Sequence, residues 1–279
     1  MVGLAGDKRC GREKVAVFGH RGASRARPEN TISAFDRAVE AGADGLELDL
    51  RLSLDGVPMV HHDATLERTT GGKGRVDKLT ASELARLDAG FNFSPETGYP
   101  FRGRGTGIPS LREVLERYRG VPLILELKGS DSALAARSLE EVRRAGALDN
   151  VVFGSFSHAA LRAVRRMEPS AATGASLREL RFALALCRLP PAARLASLLS
   201  RLWRRKPAYR AIQVPWRFHG RRVVTAAFVR HVRERGLPVQ VWTVNEPALA
   251  RTLVSWGVTG LITDVPEVMA GLRCEGTEA

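Results

Sequence analysis

The chain has 279 residues, 44% of them apolar, which is enough for one large α/β barrel or for two small domains with sizeable cores. Its three cysteines, Cys10, Cys187 and Cys274, are too few and too far apart for a disulfide framework or a thiolate metal site, and they suit a reducing compartment. The net charge of +13 is local, because residues 178–235 hold 15 Lys and Arg against 2 Asp and Glu, so any anionic membrane, polyanion or charged substrate would meet one face.

The N-terminal stretch MVGLAGDKRCGREK is polar and lacks the apolar core of a signal peptide. No run in the chain approaches the ~18 uncharged apolar residues of a membrane-spanning helix. We therefore expect a soluble protein located in the cytoplasm.

The first apolar run, residues 15–20, predicts a β-strand, and an amphipathic helix is predicted after it over residues 31–42. Ile32 and Phe35 lie on the apolar face of this helix. Asn30 is the predicted N-cap, with Thr31 starting the helix, and Gly42 suits the C-terminal cap.

The remaining strands follow in the same rhythm. Residues 45–53 and 58–63 predict two strands separated by the turn dipeptide Asp55-Gly56. Further strands, most of them followed by a helical segment, are predicted at residues 123–128, 151–155, 173–176, 211–215, 238–243 and 260–263. About eight such units predict a single (β/α)8 TIM barrel domain over residues 1–279, with a doubly wound open sheet as the weaker alternative.

Residues 64 to about 108 interrupt this rhythm. The segment is rich in Gly and Thr and is too long for an ordinary loop between a strand and a helix. It predicts a small insertion after the second strand region, placed over one end of the barrel where it can cover an active site.

Acidic residues lie on two of the predicted strands. Glu47 and Asp49 lie two apart, so their side chains share one face, and Glu126 and Lys128 have the same spacing. Because burying three carboxylates together is costly, a hard cation such as Mg²⁺ or Ca²⁺ would neutralise them. The alternative reading makes them half-exposed strand residues paired with Arg51 or Lys128.

Two histidines stand at predicted strand ends. His20 and His62 could act as an acid and base pair, because imidazole titrates near neutral pH. The alternative is that each is structural or exposed. Arg21, next to His20, has the planar guanidinium that binds phosphate oxygens in a bidentate manner.

These residues belong to a longer series of motifs. The N-terminal half contains His20-Arg21-Gly22, Pro28-Glu29-Asn30-Thr31, Gly42-Ala43-Asp44, Glu47-x-Asp49, Asp55-Gly56 and His62-Asp63. The C-terminal half contains Glu126-Leu127-Lys128, Ser155-Phe156, Trp242-Thr243-Val244-Asn245 and Gly260-Leu261-Ile262-Thr263-Asp264. In content and order the series resembles the signature of the glycerophosphodiester phosphodiesterase family over about residues 15 to 268.

The resemblance implies a (β/α)8 barrel with an insertion matching residues 64 to 108. It implies a divalent metal, Mg²⁺ or Ca²⁺, held by Glu47, Asp49 and Glu126. It also implies an acid/base pair formed by His20 and His62, and it leaves open which of them is the acid.

Four further residues gain a role from the resemblance. Arg21 and Lys128 would contact phosphate, while Phe156 and Trp242 would line the pocket near the glycerol or the leaving group. Asp63 would orient its neighbour or support the loop rather than react.

The basic segment from residue 181 to residue 206 has two readings. Leu195, Leu198 and Leu202 lie at helical spacing with arginines elsewhere around the helix, which is typical of an interfacial helix on an anionic membrane. The same pattern is typical of an outer barrel helix with its apolar stripe inward, and this reading is favoured.

Three functions follow from the sequence. The leading one is metal-dependent hydrolysis of small glycerophosphodiesters to glycerol 3-phosphate and an alcohol. The second is a lysophospholipase D that acts on lysophospholipids at a membrane surface. The third is a non-catalytic module that binds polyanions through the basic face, with no nucleic-acid partner expected because aromatic stacking platforms are missing.

Overall fold

The computed structural model describes residues 15–187, 207–218 and 220–272. Its strands are β1 (Ala16–His20), β2 (Gly45–Leu52), β3 (Pro58–Val60), β4 (Leu123–Leu127), β5 (Val151–Gly154), β6 (Ala172–Thr173), β7 (Ile212–Pro215), β8 (Arg217–Phe218), β9 (Arg221–Arg222), β10 (Val239–Trp242) and β11 (Gly260–Thr263). Eight of them form a parallel sheet in the order β6-β5-β4-β2-β1-β11-β10-β7. β3 pairs antiparallel with β2, and β8 and β9 form a separate hairpin.

The two edge strands of this sheet meet and close it. A parallel bridge joins Gly174, just after β6, to Ala211, just before β7. Backbone bonds on either side support it: Ala175 N donates to the Ala211 carbonyl over 3.0 Å, and Arg210 N donates to the Thr173 carbonyl over 2.8 Å. The predicted (β/α)8 barrel is therefore confirmed, and the open-sheet alternative is wrong.

Helices cover the outside of the barrel. They are α1 (Ile32–Glu40), α2 (Ala81–Ala85), α3 (Leu111–Arg117), α4 (Ser132–Arg144), α5 (His158–Met167), α6 (Leu177–Cys187), α7 (Ala226–Arg233), α8 (Pro247–Ser255) and α9 (Pro266–Gly271). Two apolar clusters fill the layer between these helices and the strands. A third cluster lies inside the barrel and is formed by Ala16, Phe18, Ile124 and Ile262, with Trp242 packed against it.

The cap at the start of α1 corrects one prediction. Thr31, not Asn30, is the N-cap: its side chain accepts a hydrogen bond from Ala34 N over 3.2 Å. Asn30 instead turns its carboxamide toward β2, because its backbone has the left-handed φ of 57°. At the other end Gly42 follows the C-cap with a φ of 81°, as a helix-terminating glycine does.

Residues 64–108 connect β3 to the region of α3. They contain α2 and two 3₁₀ turns, Val76–Lys78 and Pro95–Thr97. A small apolar cluster of their own, which includes Leu66 and Leu84, packs against Met59 of β3. This packing ties the segment to β3, which pairs with the C-terminal end of β2, the strand that carries Glu47 and Asp49.

The predicted basic helix falls mostly outside the described residues. Its N-terminal part is α6, which buries Leu180, Ala183 and Leu186 against the barrel. Residues 188–206, including Leu195, Leu198 and Leu202, are not described. Within the described residues, no helix is both long and apolar enough to cross a membrane.

Candidate active site

The site lies at the C-terminal end of the barrel strands, one layer above the internal apolar cluster. Side chains alternate along a strand, so His20 lies two positions beyond the buried Phe18, and Glu126 lies two positions beyond the buried Ile124. The register then brings the polar residues together: His20 is opposite Glu47, and Asp49 is opposite Glu126.

His20 is held from the far side of the barrel. Its Nδ1 lies 2.7 Å from Oδ1 of Asp264, which follows β11, and its Nε2 lies 3.9 Å from Oε2 of Glu47. Burial lowers the pKa of the imidazole, but the hydrogen bond to Asp264 and the charge of Glu47 outweigh it, so the pKa lies above its ordinary value.

Arg21 makes the turn that ends β1. It adopts a left-handed φ of 56°, and its backbone N–H donates to the Glu47 carbonyl over 2.8 Å and to Glu47 Oε2 over 3.1 Å. Gly22 follows with a φ of 85° against the backbone of Ala34, where a side chain would overlap α1. The glycine therefore lets the loop return over the strand and turn Arg21 toward the pocket.

His62 has its own carboxylate. Its Nδ1 lies 2.6 Å from Oδ1 of Asp63, and the other oxygen of Asp63 accepts a hydrogen bond from Arg68. Arg68, from the 64–108 segment, also grips Glu29 through two hydrogen bonds of 2.8 and 2.7 Å. Burial lowers the pKa of the His62 imidazole, although the charge of Asp49 acts in the opposite direction.

Asp49 is the most enclosed carboxylate of the site. Lys128 Nζ lies 2.9 Å from Oδ1, Arg21 Nε lies 3.1 Å from Oδ2, and Asn30 Nδ2 donates to Oδ2 over 2.8 Å. Asn30 also accepts from Asp49 N over 3.2 Å. Burial opposes ionisation of Asp49, but Lys128 and Arg21 outweigh it and hold the pKa below its ordinary value.

Glu47 and Glu126 are in the opposite situation. Burial and the charge of Asp49 raise the pKa of Glu47 to about 7, and burial raises the pKa of Glu126 to about 8, with Lys128 acting against it. Within the described part of the chain, neither forms an ion pair with a Lys or Arg. Glu47 and Asp49 are buried rather than half-exposed, whereas Glu126 is partly exposed. Asp49 pairs with Lys128, as the alternative reading expected. Arg51 donates to the His62 carbonyl instead.

The space around Glu126 is shaped by a glycine. A Cβ on Gly154, the neighbouring residue on β5, would overlap Oε2 of Glu126 and would lie 3.1 Å from Oε1 of Gln213. Gln213 is in turn held by Gln240, to which its Nε2 donates over 3.1 Å. The carboxylate thus occupies a cradle that the absence of a side chain leaves open.

The donor set fits a hard divalent cation. Glu47, Asp49 and Glu126 all present oxygen atoms, and two of them carry raised pKa values that a bound cation would reverse. Among residues 15–187, 207–218 and 220–272, no group of three His, Cys, Asp or Glu side chains is already gathered at metal-binding distances. Asp49, whose two oxygens face Lys128, Arg21 and Asn30, accounts for the difference.

All the residues that the sequence analysis assigns to the site line one pocket, which has about 790 Å³ of empty space counting its open mouth. Phe156 and Trp242 form one wall, with ring centroids 5.9 Å apart in an edge-to-face arrangement. Leu177 and Leu180 of α6 also line the pocket. The lining therefore combines charged residues with apolar ones.

Sequence reasoning gave Asp63 the role of orienting its neighbour, and Asp63 does bond His62, but it missed the residues that hold His20 and Asp63. Asp264 and Asn245 were recognised only as parts of motifs, and Arg68 received no role. The sequence did contain a signal for Asp264 and Asn245. Asp264 directly follows β11 and Asn245 comes three residues after β10, so both lie at the C-terminal mouth of the barrel. Arg68 carried no comparable signal, since its position depends on how the 64–108 segment folds.

Histidines, arginine and lysine gathered around one barrel mouth suit a class of enzymes that hydrolyse phosphoric esters. A model of the glycerophosphoryl diester phosphodiesterase family matches residues 20–268. The chain therefore belongs to the glycerophosphoryl diester phosphodiesterase family and is an enzyme of that class.

Individual relatives agree. A glycerophosphodiester phosphodiesterase of Caldanaerobacter subterraneus is 33% identical over 94% of this chain and 99% of its own length. A solved structure of a putative glycerophosphoryl diester phosphodiesterase from Silicibacter pomeroyi has a TM-score of 0.76 and 29% identity, covering 98% of this chain and 96% of that one. A phosphodiesterase of Oleispira antarctica, solved in complex with the product sn-glycerol-3-phosphate, has a TM-score of 0.72 and 29% identity over 92% of this chain and 96% of its own.

Proposed function

We propose that this protein hydrolyses small glycerophosphodiesters to glycerol 3-phosphate and an alcohol, with His20 and His62 as the acid/base pair and with a divalent cation as cofactor. The observation that carries the proposal is that both histidines line one pocket with three acids and two cations. Each imidazole is bonded through Nδ1 to a carboxylate, which leaves its Nε2 available for proton transfer.

Glu47, Asp49 and Glu126 would hold the cation, Mg²⁺ or Ca²⁺. When bound, it would supply positive charge against the phosphodiester oxygens and so stabilise the charge that develops there during the reaction. The raised pKa values of Glu47 and Glu126 support this assignment, because two enclosed acids that form no ion pair with a Lys or Arg among the described residues favour a bound cation.

The residues of the chain do the remaining work. Arg21 and Lys128, which lie against Asp49, would contact the phosphate and orient it between the two histidines. One imidazole removes a proton from the nucleophile, which is either water or a glycerol hydroxyl. Attack by the hydroxyl would give a cyclic intermediate, which water then opens to glycerol 3-phosphate. The other protonates the departing alkoxide oxygen.

The substrate assignment is supported by similarity and by shape. The Oleispira relative binds sn-glycerol-3-phosphate as its product, which supports release of the same product here. Phe156 and Trp242 would contact the glycerol carbons or the leaving alcohol, because they form the apolar wall of the pocket. The family match favours an enzyme over the polyanion-binding module.

A substrate panel tests the proposal. Purified protein, stripped of metal and then given Mg²⁺ or Ca²⁺, is assayed against glycerophosphocholine, glycerophosphoethanolamine and lysophosphatidylcholine, with release of glycerol 3-phosphate and of the alcohol measured separately. We expect metal-dependent release of glycerol 3-phosphate from the first two. Turnover of lysophosphatidylcholine alone would identify a lysophospholipase D instead, and equal activity with and without metal would refute the cofactor assignment.

A further inference from the structure

We propose that Asp264 is a positioning residue for His20: held in place by Asn245 and Ser24, it fixes the ring so that Nε2 faces the pocket. The inference rests on the proposed role of His20 in catalysis. It concerns the last residue of β1 and residues from the loops that follow β1, β10 and β11, which meet at the barrel mouth.

The contact between the two side chains is direct. His20 Nδ1 and Asp264 Oδ1 are 2.7 Å apart, and both side chains are largely enclosed, with 18% and 26% of their surfaces exposed. Ionised carboxylates accept hydrogen bonds and donate none. The proton of the neutral ring therefore lies on Nδ1, and the lone pair lies on Nε2.

Asp264 is itself fixed at every polar atom of its side chain. Oδ1 accepts a second hydrogen bond from Ser24 Oγ over 2.9 Å, and Oδ2 accepts from Asn245 Nδ2 over 2.6 Å. Burial opposes ionisation of Asp264, but the hydrogen bonds from His20, Asn245 and Ser24 outweigh it and lower the pKa to about 2.

Asn245 holds Asp264 in place through its side-chain carboxamide and does not itself line the pocket. While its Nδ2 bonds the carboxylate of Asp264, its Oδ1 accepts from Asp264 N over 2.9 Å and from Thr263 Oγ1 over 3.1 Å. Each amide atom has a donor or acceptor that matches it, so the carboxamide cannot rotate without losing these bonds. The backbone and the carboxylate of Asp264 are thereby held by one side chain.

The backbone adds a further link. Arg25 N donates to the Asp264 carbonyl over 3.1 Å, which connects the end of β11 to the loop that follows His20. His20 and the group that orients it therefore belong to one hydrogen-bonded unit. Such a unit keeps Nε2 at a constant position relative to Glu47, 3.9 Å away, and to the substrate pocket.

The first test is Asp264→Asn, assayed with glycerophosphocholine at saturating metal. We expect kcat to fall by about 10²-fold, within the contribution of a general acid or base, with KM changed by less than about threefold. In the neutral ring, nitrogen NMR of labelled histidine should show the proton moving from Nδ1 to Nε2. An unchanged tautomer, or a kcat within about threefold of the parent, would overturn the proposal.

A double-mutant cycle separates positioning from structural damage. Because Asp264 acts through His20, the Asp264→Asn change should have no further effect on kcat in a His20→Ala background. A further fall of the same size in that background would show an independent role and would refute the inference. Asp36→Asn is the matched control: it removes a carboxylate bonded to Arg117 and Tyr118 outside the site and should leave kcat unchanged.

The cycle also distinguishes this inference from the proposed function. Near-normal kcat in His20→Ala would refute the catalytic role of His20, whereas an inactive His20→Ala with an active Asp264→Asn would refute the positioning role alone. If Asp264→Asn does not fold, Asn245→Ala takes its place in the same cycle. It keeps the carboxylate but releases Oδ2, so we expect a smaller fall in kcat, about tenfold, again absent without His20.

Discussion

The two histidines of the site have the same type of partner but differ in how that partner is held. On the His20 side, Asp264 is fixed by neutral donors from Asn245 and Ser24. On the His62 side, Asp63 is fixed by Arg68, whose side chain is 48% exposed. Neutral enclosed hydrogen bonds respond little to salt, whereas partly exposed ion pairs are screened by it. One side of the site is therefore rigid by enclosure, and the other depends on charge.

The largest expected effects come from removing either imidazole. His20→Ala and His62→Ala should each lower kcat by about 10²–10⁴-fold, because each removes a group that transfers a proton in the transition state. Steady-state assays and thermal unfolding of the purified variants check this. His158→Ala is the control, since this histidine bonds Ser176 and neither of the two residues lines the pocket. Near-parent activity in either site variant would refute the assignment of that histidine to the acid/base pair.

Loss of a carboxylate from the proposed metal site should come next. Glu126→Gln and Glu47→Gln should weaken the apparent affinity for Mg²⁺ or Ca²⁺ by at least about tenfold, because each removes an anionic oxygen donor that the cation would use. Activity is measured during chelation and metal add-back. Glu116→Gln, on the exposed face of α3, is the control and should have the same apparent metal affinity as the parent. Metal affinity unchanged in both site variants would remove these residues from the ligand set.

The pH dependence of stability should reveal the contribution of Asp264, the enclosed partner of His20. The pKa of Asp264 is lowered to about 2, below the pKa of the same carboxyl group in the unfolded chain. The ionised carboxylate therefore contributes its full stability above about pH 4, and this contribution is lost as the pH falls through the pKa of the folded state. At pH 6 the free energy of unfolding of Asp264→Asn should therefore be lower than the parent's by about 2 kcal/mol. Near pH 3 that difference should shrink by about half. Denaturant titrations at both pH values measure it, and a constant difference would contradict the prediction.

The smallest effect should come from the charged side. Arg68→Gln should lower kcat by about two- to fivefold at low salt, because a partly exposed ion pair contributes up to about 1 kcal/mol, and the loss should largely disappear near 1 M salt. Arg75→Gln removes a similarly exposed pair with Asp77 in the same segment and should have no effect. A loss that persists in high salt would show that Arg68 acts by packing or by enclosed hydrogen bonds, as Asp264 does.

The barrel was predictable because its strands are short apolar runs with polar ends. Each of the eight parallel strands lies within or beside a predicted apolar run. Phe18 and Ile124 show the pattern: each is an apolar residue inside the barrel, and the residue two positions later on the same strand face is polar and lies at the mouth. The hairpin of β8 and β9 was not predicted, since Arg217 and Arg222 give no apolar signal.

The site was predictable as a set of residue types but not as a network. Spacing along β2 predicts that Glu47 and Asp49 share a face, and the structure places both in the pocket. It does not predict that the side chains of Lys128 and Arg21 pair with Asp49 rather than with Glu47, because that choice depends on side-chain distances across strands. The N-cap error has the same origin: Asn30 is an ordinary cap residue until β2 offers its carboxamide a buried partner.

The close approach of Gly154 to the Glu126 carboxylate has a consequence for how the activity of such an enzyme can be lost. Gly154 contributes no functional group, yet a single methyl group at that position would push the carboxylate out of its place. Activity could thus vanish through an Ala substitution that leaves every recognisable motif of the chain intact. Surveys of this family that score only charged and histidine positions would count such a protein as active, so the small residue on β5 belongs among the positions inspected.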